Sequence, residues 1–216
     1  MRKGTRTRVA GNGGRPSRDE AGKIRDRILI AATGLFFSQG YGSTSIEAIA
    51  ARARVSKRTF YARFKDKADV FRAVVERVME RLKPPHAESL FDGGDCEAVL
   101  QRLAVAILKA TLKPEALALN RLIIAEAGRF PELAAAFEEQ GGRQKAVQRI
   151  AAFLNDETQA CCFATGNPAF AAEQFLQMLI STPRRRALFG SLMTEREIDA
   201  WARSTVRLFL NGCRRG

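Results

Sequence analysis

Residues 44–64 read Thr-Ser-Ile-Glu-Ala-Ile-Ala-Ala-Arg-Ala-Arg-Val-Ser-Lys-Arg-Thr-Phe-Tyr-Ala-Arg-Phe, a run that gathers hydroxyls, cations and a phenol at spacings suited to gripping a polyanion. Lys57, Arg58, Thr59 and Tyr61 fall within one short stretch, and Phe60 and Phe64 stand at i and i+4, as the apolar seam of a helix requires. With that seam turned inward, Lys57 and Arg58 can donate to guanine edges, and Thr59 can meet a thymine methyl or a phosphate. The Tyr61 hydroxyl is then aimed at the phosphodiester backbone. Thr44 and Ser45 stand at one helix N-terminus and Lys57 at another, where free amide groups favour phosphate. Lys67 falls in the first turn of a further helix, a position the helix dipole makes unfavourable for a cation. A phosphate beside it would remove that conflict. Together these residue types point to duplex DNA, with one short helix laid into the major groove.

Such a helix needs others to hold it. Ile24, Ile28, Ala31, Ala32, Leu35 and Phe36 recur at helical spacing and stop near Gly40, with Gly40 and Gly42 bracketing Tyr41 as a cap and re-entry turn. Thr44 or Ser43 is expected to cap the second helix, with Glu47 closing a capping box on Thr44. That helix offers Ile46, Ile49 and Ala50 to a core and ends around Ala53; Arg54 and Val55 turn the chain, and Ser56 caps the short third helix. Lys65 or Asp66 opens a longer helix through Val70, Phe71, Val74, Val75, Val78 and Leu82, closed by Pro84 and Pro85. Beyond a Gly- and Asp-rich gap, helices are predicted over about 96–112, 114–128, 131–157, 168–186 and 194–213, with Gly141 and Gly142 offering a break or kink inside the third of these. The period stays near that of a helix throughout, so the fold class expected is all-α, with about nine helices.

The chain has 216 residues, long enough for a substantial core, and its 46% hydrophobic and 27% charged residues are those of a globular protein. A net charge of +13 favours a polyanionic partner. Arg2, Lys3, Arg6, Arg8, Arg15, Arg18, Lys23 and Arg25 face only Asp19 and Glu20 near the start, so residues 1–22 read as a disordered basic arm. Arg2, Lys3, Arg6 and Arg8 are its candidate contacts to phosphates or the minor groove. No apolar h-region follows this arm, and no segment is apolar over a membrane-spanning length, so no membrane partner is expected and a reducing cytoplasm fits. Four cysteines form no zinc spacing; adjacent Cys161 and Cys162 leave open a thiol- or metal-responsive role, although neighbouring Asp156 and Glu157 do nothing to lower a thiol pKa. The lone histidine, His86, has no nucleophile–acid company, and Gly11-Asn-Gly-Gly lacks the Gly-Lys-Ser/Thr of a phosphate loop. No enzyme, metal site or cofactor is expected. A nonspecific architectural DNA binder is the remaining alternative, separable by its lack of preference for one palindrome.

The segment from about 25 to 71 resembles the DNA-binding domain of TetR-family transcriptional regulators. The Ala-Ala-Thr-Gly-Leu-Phe-Phe run at 31–37 carries the likeness, together with Gly40, Tyr41, Thr44, Ile49, Ala50, Ala53, Val55, Ser56, Lys57, Thr59, Phe60, Tyr61, Phe64 and Lys67. The resemblance implies a three-helix head over 23–70, a linking helix at about 66–83, and a ligand-binding and dimerisation domain over 71–216. Its DNA contacts map onto Thr44, Lys57, Thr59, Tyr61 and Lys67. Arg58 stands where relatives often carry a small residue, so its base contact is particular to this chain. The stretches 120–133 and 167–176, with Leu188, Phe189 and Gly190, are similar to the C-terminal domain of the AefR- and AcrR-like branch. That implies a homodimer through the last two long helices, with Phe175, Leu176, Leu179, Ile198, Trp201, Val206, Leu208 and Phe209 at the interface. A twofold dimer reads a pseudo-palindromic site, because one short helix contacts too few bases alone. Such proteins are mostly repressors released by a small molecule. Candidate pocket residues are Ile107, Leu119, Leu122, Ile123, Phe130, Phe137, Phe153, Phe175 and Met178, with Glu126 orienting a polar group; Arg129 lies close by. The apolar balance of the body suits a hydrophobic or amphipathic effector.

Overall fold

The computed structural model describes residues 18–84, 87–156 and 166–213. Among them are α1 (Arg18–Gln39), α2 (Ile46–Arg52), α3 (Lys57–Tyr61), α4 (Lys67–Leu82), α5 (Cys96–Thr111), α6 (Pro114–Glu126), α7 (Pro131–Gln140), α8 (Arg143–Asn155), α9 (Pro168–Leu188) and α10 (Glu195–Cys213), with one 3-10 turn at Ser89–Phe91. The described residues contain no strand. The all-α architecture is as expected from periodicity, a three-helix head followed by a larger helical bundle.

Helix starts follow side-chain chemistry. Ser45, Ser56, Asp66, Asp95 and Asn167 each accept a hydrogen bond from the amide three residues on, relieving a donor that the first turn leaves unpaired. Pro114, Pro131 and Pro168 open α6, α7 and α9, where a missing N–H costs nothing. The span predicted as one helix over 131–157 is two, because Gly142 adopts the left-handed φ 76° between α7 and α8. α1 begins at Arg18, so residues 18–22, assigned to the arm from composition, are helical. The second helix is capped by Ser45, not by Thr44 or Ser43.

α9 runs through Pro183, which is buried inside it. Proline has no N–H for the carbonyl of Leu179, one helical turn earlier. That carbonyl instead accepts the indole Nε1–H of Trp201 from α10 at 2.9 Å. The defect in one helix thereby becomes a fastening to the next.

Two apolar clusters hold the molecule. The first joins α1–α4 to α6 and α7 through Ile28, Phe36, Phe60, Phe71, Leu119 and Leu133. The second joins α5, α8, α9 and α10 through Leu100, Leu108, Ile150, Phe175 and Phe209. The boundary drawn at residues 70 and 71 therefore falls inside a continuous core, in which α4 packs on α1, α6 and α7. The head is seated on the body through apolar contact as well as through the chain.

Candidate nucleic-acid interface

The turn between α2 and α3 is tight because Arg54 takes φ 55° and Val55 N–H donates to Ala50 O at 2.9 Å. Ser56 then caps α3, with Oγ accepting from Thr59 N–H at 3.1 Å and lying 2.8 Å from Thr59 Oγ1. Phe60 is 0% and Phe64 3% exposed, their rings 5.9 Å apart. With both rings inward, Lys57, Arg58 and Tyr61 are exposed and Thr59 is half-buried. Tyr61 is 53% exposed and leans its ring edge on Phe60. Ser45 is also exposed. Lys57, Arg58 and Tyr61 are thus solvent-facing polar side chains on an anchored α3, and Ser45 is exposed at the start of α2.

Lys57 is already paired. Its ammonium meets Glu47 at 2.5 Å across the α2–α3 turn, both side chains being largely solvent-exposed. The hydrogen bond from Lys57 holds the Glu47 carboxyl below the usual carboxylate range, and the same bond pushes Lys57 up. Glu47 therefore serves α3 rather than a capping box on Thr44, a partner that lay hidden because the turn, not the spacing, brings the two together.

Two expected DNA contacts have partners within the protomer, Thr44 buried and Lys67 partly so. Thr44 is 1% exposed; its hydroxyl donates to Gly40 O at 2.7 Å, folding back on the turn instead of facing outward. Lys67 donates to Tyr41 O at 2.9 Å and to Thr44 O at 3.0 Å, with its ammonium 4.2 Å from the centre of the Tyr41 ring. The dipole conflict in the first turn of α4 is thus met within the protomer by two carbonyls and a ring face. Partial burial lowers the Lys67 pKa. Tyr41, buried and donating to Glu132 at 3.2 Å, has its phenol pushed up, first by burial and then by the Glu132 charge.

The pocket candidates do not converge. Leu119, Leu122, Ile123, Phe130 and Phe137 pack in the first cluster, and Ile107, Phe153, Phe175 and Met178 in the second. Glu126 faces the α1–α2 turn, accepting from Tyr41 N–H and Gly42 N–H. Helical spacing marks residues that fill a core, and here they fill two. A cleft of about 810 Å³ lies elsewhere, between α7, α8 and the start of α9, lined by Glu138, Arg143, Val147, Phe170 and Glu173 among others. Phe170 is 62% exposed there, and Arg143 pairs with Glu173.

The interface candidates need a similar correction. Phe175, Leu179 and Val206 are 0% exposed, and Leu176, Ile198 and Phe209 are buried, so they have no surface left for a partner. Phe175 meets Phe209 within the protomer, at 5.1 Å between ring centres. Trp201 is held by Leu179 O. Leu208 alone among them projects, at 65% exposed, and exposed Phe189 and Leu192 lie in and beside the turn joining α9 to α10. Arg2, Lys3, Arg6, Arg8, His86, Cys161 and Cys162 lie outside the described residues. Among the described residues no cluster of His, Cys, Asp or Glu is arranged to hold a metal, and no helix is long and apolar enough to cross a membrane.

Residues 28–74 match the family described as bacterial regulatory proteins, tetR family. Residues 98–212, half of the chain, match the AefR-like transcriptional repressor C-terminal domain. A TetR-family transcriptional regulator from Mesorhizobium loti MAFF303099 is similar over 93% of this chain and 100% of its own, with 31% identity and a TM-score of 0.74. The flavonoid-responsive regulator FrrA is similar over 89% of this chain and 98% of its own, with 32% identity and the same TM-score. The HTH-type transcriptional regulator AcrR of Shigella flexneri is 34% identical over 103 residues, 47% of each chain, so that likeness spans about half of the curated relative.

Proposed function

Because this chain belongs to the TetR family of bacterial regulatory proteins, with an AefR-like C-terminal domain, we propose that it is a dimeric repressor of a pseudo-palindromic operator, released by a small amphipathic effector. The observation that carries this reading is the anchored α3. Phe60 and Phe64 are buried beneath it while Lys57, Arg58 and Tyr61 stand in solvent, so a helix of fixed orientation presents donors to the major groove. Ser45 and Lys57 hold the flanking phosphates, Arg58 reads a base, and Thr59 supports them from the cap. The basic arm, with Arg2, Lys3, Arg6 and Arg8, adds phosphate or minor-groove contact. Pairing of two protomers runs through the outward faces of α9 and α10, with Leu208 at its apolar centre. The repressing sense follows the family description of the C-terminal domain.

The effector site of this reading is the cleft between α7, α8 and α9. Phe170 and Val147 offer it an apolar wall, and Glu138, Glu139, Gln144, Gln148 and Asn167 offer hydrogen-bonding groups. That mixture suits a planar aromatic molecule carrying hydroxyls, the class to which FrrA responds by its own description. The test has two stages. Selection on genomic fragments should recover a palindromic site, and a panel of flavonoids and aliphatic amphiphiles should then contain a compound that dissociates the complex. Recovery of unrelated fragments bound equally well, and with a steep dependence on salt, is the result that contradicts it.

A further inference from the structure

Glu126 ends α6, and its carboxylate is divided between two backbone donors of the head. Oε1 accepts from Tyr41 N–H at 2.7 Å and Oε2 from Gly42 N–H at 2.6 Å. These two donors belong to the turn between α1 and α2, about 25 residues before the α4 connection in sequence. The approach depends on glycine. Gly40 has φ 88°, and a Cβ there would stand 2.3 Å from Glu126 Oε1. A Cβ on Gly42 would meet the Phe130 ring at 3.0 Å. Phe130 in turn meets Tyr41 in an edge-type ring contact, 5.1 Å between centres. Tyr41 donates to Glu132 at the start of α7, and Lys67 closes the fourth side by donating to Tyr41 O and Thr44 O. One turn of the head is therefore gripped by α6, the α6–α7 connection and α7 together, in addition to the covalent link through α4.

We infer that Glu126 is a positioning residue for DNA binding: its carboxylate clamps the α1–α2 turn to the body and so sets the angle at which α3 meets the groove. The inference rests on the operator-binding reading above. Two heads on one dimer must fit half-sites separated by a helical turn of DNA or a multiple of it. A head seated only by α4 and by non-directional apolar contact can still shift in angle, and ordering it on the operator lowers affinity. A charge-assisted pair of hydrogen bonds from a rigid helix end removes that freedom beforehand. α6 is itself held at its other flank, where the Arg121 guanidinium lies 3.3 Å from the carbonyls of Ala187 and Leu188 at the end of α9. The turn that orients α3 is thus connected by a single helix to one of the two helices proposed to carry the dimer.

The experiment uses the full-length dimer and compares wild type with Glu126→Ala, Glu126→Gln and Gly42→Ala. Glutamine preserves shape but turns an N–H toward one of the two backbone N–H groups, so it should break one of the two bonds and alanine both. Gly42→Ala keeps the Glu126 carboxylate but sets a Cβ 3.0 Å from the Phe130 ring and 3.1 Å from Glu126 Oε2, so it should push the turn away from both. All three should keep helical content and dimer mass. Operator affinity should fall by about tenfold, while affinity for a random duplex of equal length changes little. Operators with an altered half-site separation should be discriminated less sharply than by wild type. Amide exchange at Tyr41 and Gly42 should quicken. Equal loss on operator and random duplex, unchanged spacing discrimination, or full protection of both amides in Glu126→Ala would each overturn the clamp. If one variant does not fold, the other two decide. A wild-type protein with no operator preference defeats the regulator reading, and the amide exchange still settles whether Glu126 holds the turn.

Discussion

Glu47 and Lys57 hold each other across the α2–α3 turn, and a phosphate has to displace Glu47 to use the Lys57 ammonium. Exposed pairs of this kind are weak and screened by salt, so the competition is modest. Glu47→Ala should tighten DNA binding by about two- to fivefold at low salt and by less as salt rises; fluorescence anisotropy across a salt series checks it, and weaker binding would show that Glu47 helps to orient Lys57. Tyr61→Phe tests a different contact. The ring is retained against Phe60, so loss of the hydroxyl should weaken cognate and random duplex alike, whereas a loss confined to cognate DNA would assign Tyr61 to base reading. The inward Phe60 and Phe64 were legible from their spacing alone, because i and i+4 share a helix face. Thr44 and Lys67 were not, since a hydroxyl before a helix can cap it or fold back. The carbonyls that receive Lys67 come together only when the Tyr41 turn closes.

Helix ends show how far local rules reach. The Ser56 cap of α3 and the Asp66 or Lys65 opening of α4 were readable, and so was the weakness at Gly141 and Gly142 that separates α7 from α8. The fastening of Pro183 was not, because its partner Trp201 lies on another helix. Trp201→Phe leaves Leu179 O without a donor and should destabilise the protein by about 1–3 kcal/mol. In a Pro183→Ala background the restored N–H supplies that donor, so the same change should cost less; urea unfolding of the double-mutant cycle measures the difference. Additive costs would mean that Trp201 acts by packing alone. At the start of α10, Glu197 accepts from the N–H of Thr194 at 2.8 Å and from its hydroxyl at 3.0 Å, and these bonds, the backbone one first, lower its carboxyl pKa. A carboxyl lowered by folding stabilises fully above its unfolded value and loses that contribution as pH falls through the folded one. The difference in melting temperature between wild type and Glu197→Gln should therefore narrow as pH falls from about 6 to about 3.

At the scale of the whole molecule, apolar periodicity told which helix faces point inward but not which core they enter. Leu119 and Phe175 look alike in sequence and lie in different clusters, so residues expected around one pocket are divided between two. The same ambiguity turned the interface prediction inside out: Phe175, Leu179 and Val206 mark the inner faces of α9 and α10, and a partner would meet the outer ones. Leu208→Asp should accordingly leave the protomer fold intact, shift sedimentation from dimer toward monomer, and weaken operator binding with it. A stable dimer in that variant would move the interface to another face.

The most direct measurement is the affinity of the full-length protein for its selected palindrome and for a random duplex, repeated with Arg58→Ala at constant salt. An anchored α3 reading bases predicts a specific preference of about a thousandfold or more in the wild type. It also predicts that Arg58→Ala loses about tenfold on the palindrome, with little change on random DNA. Equal affinity for the two duplexes, or a preference that Arg58→Ala leaves untouched, would contradict it.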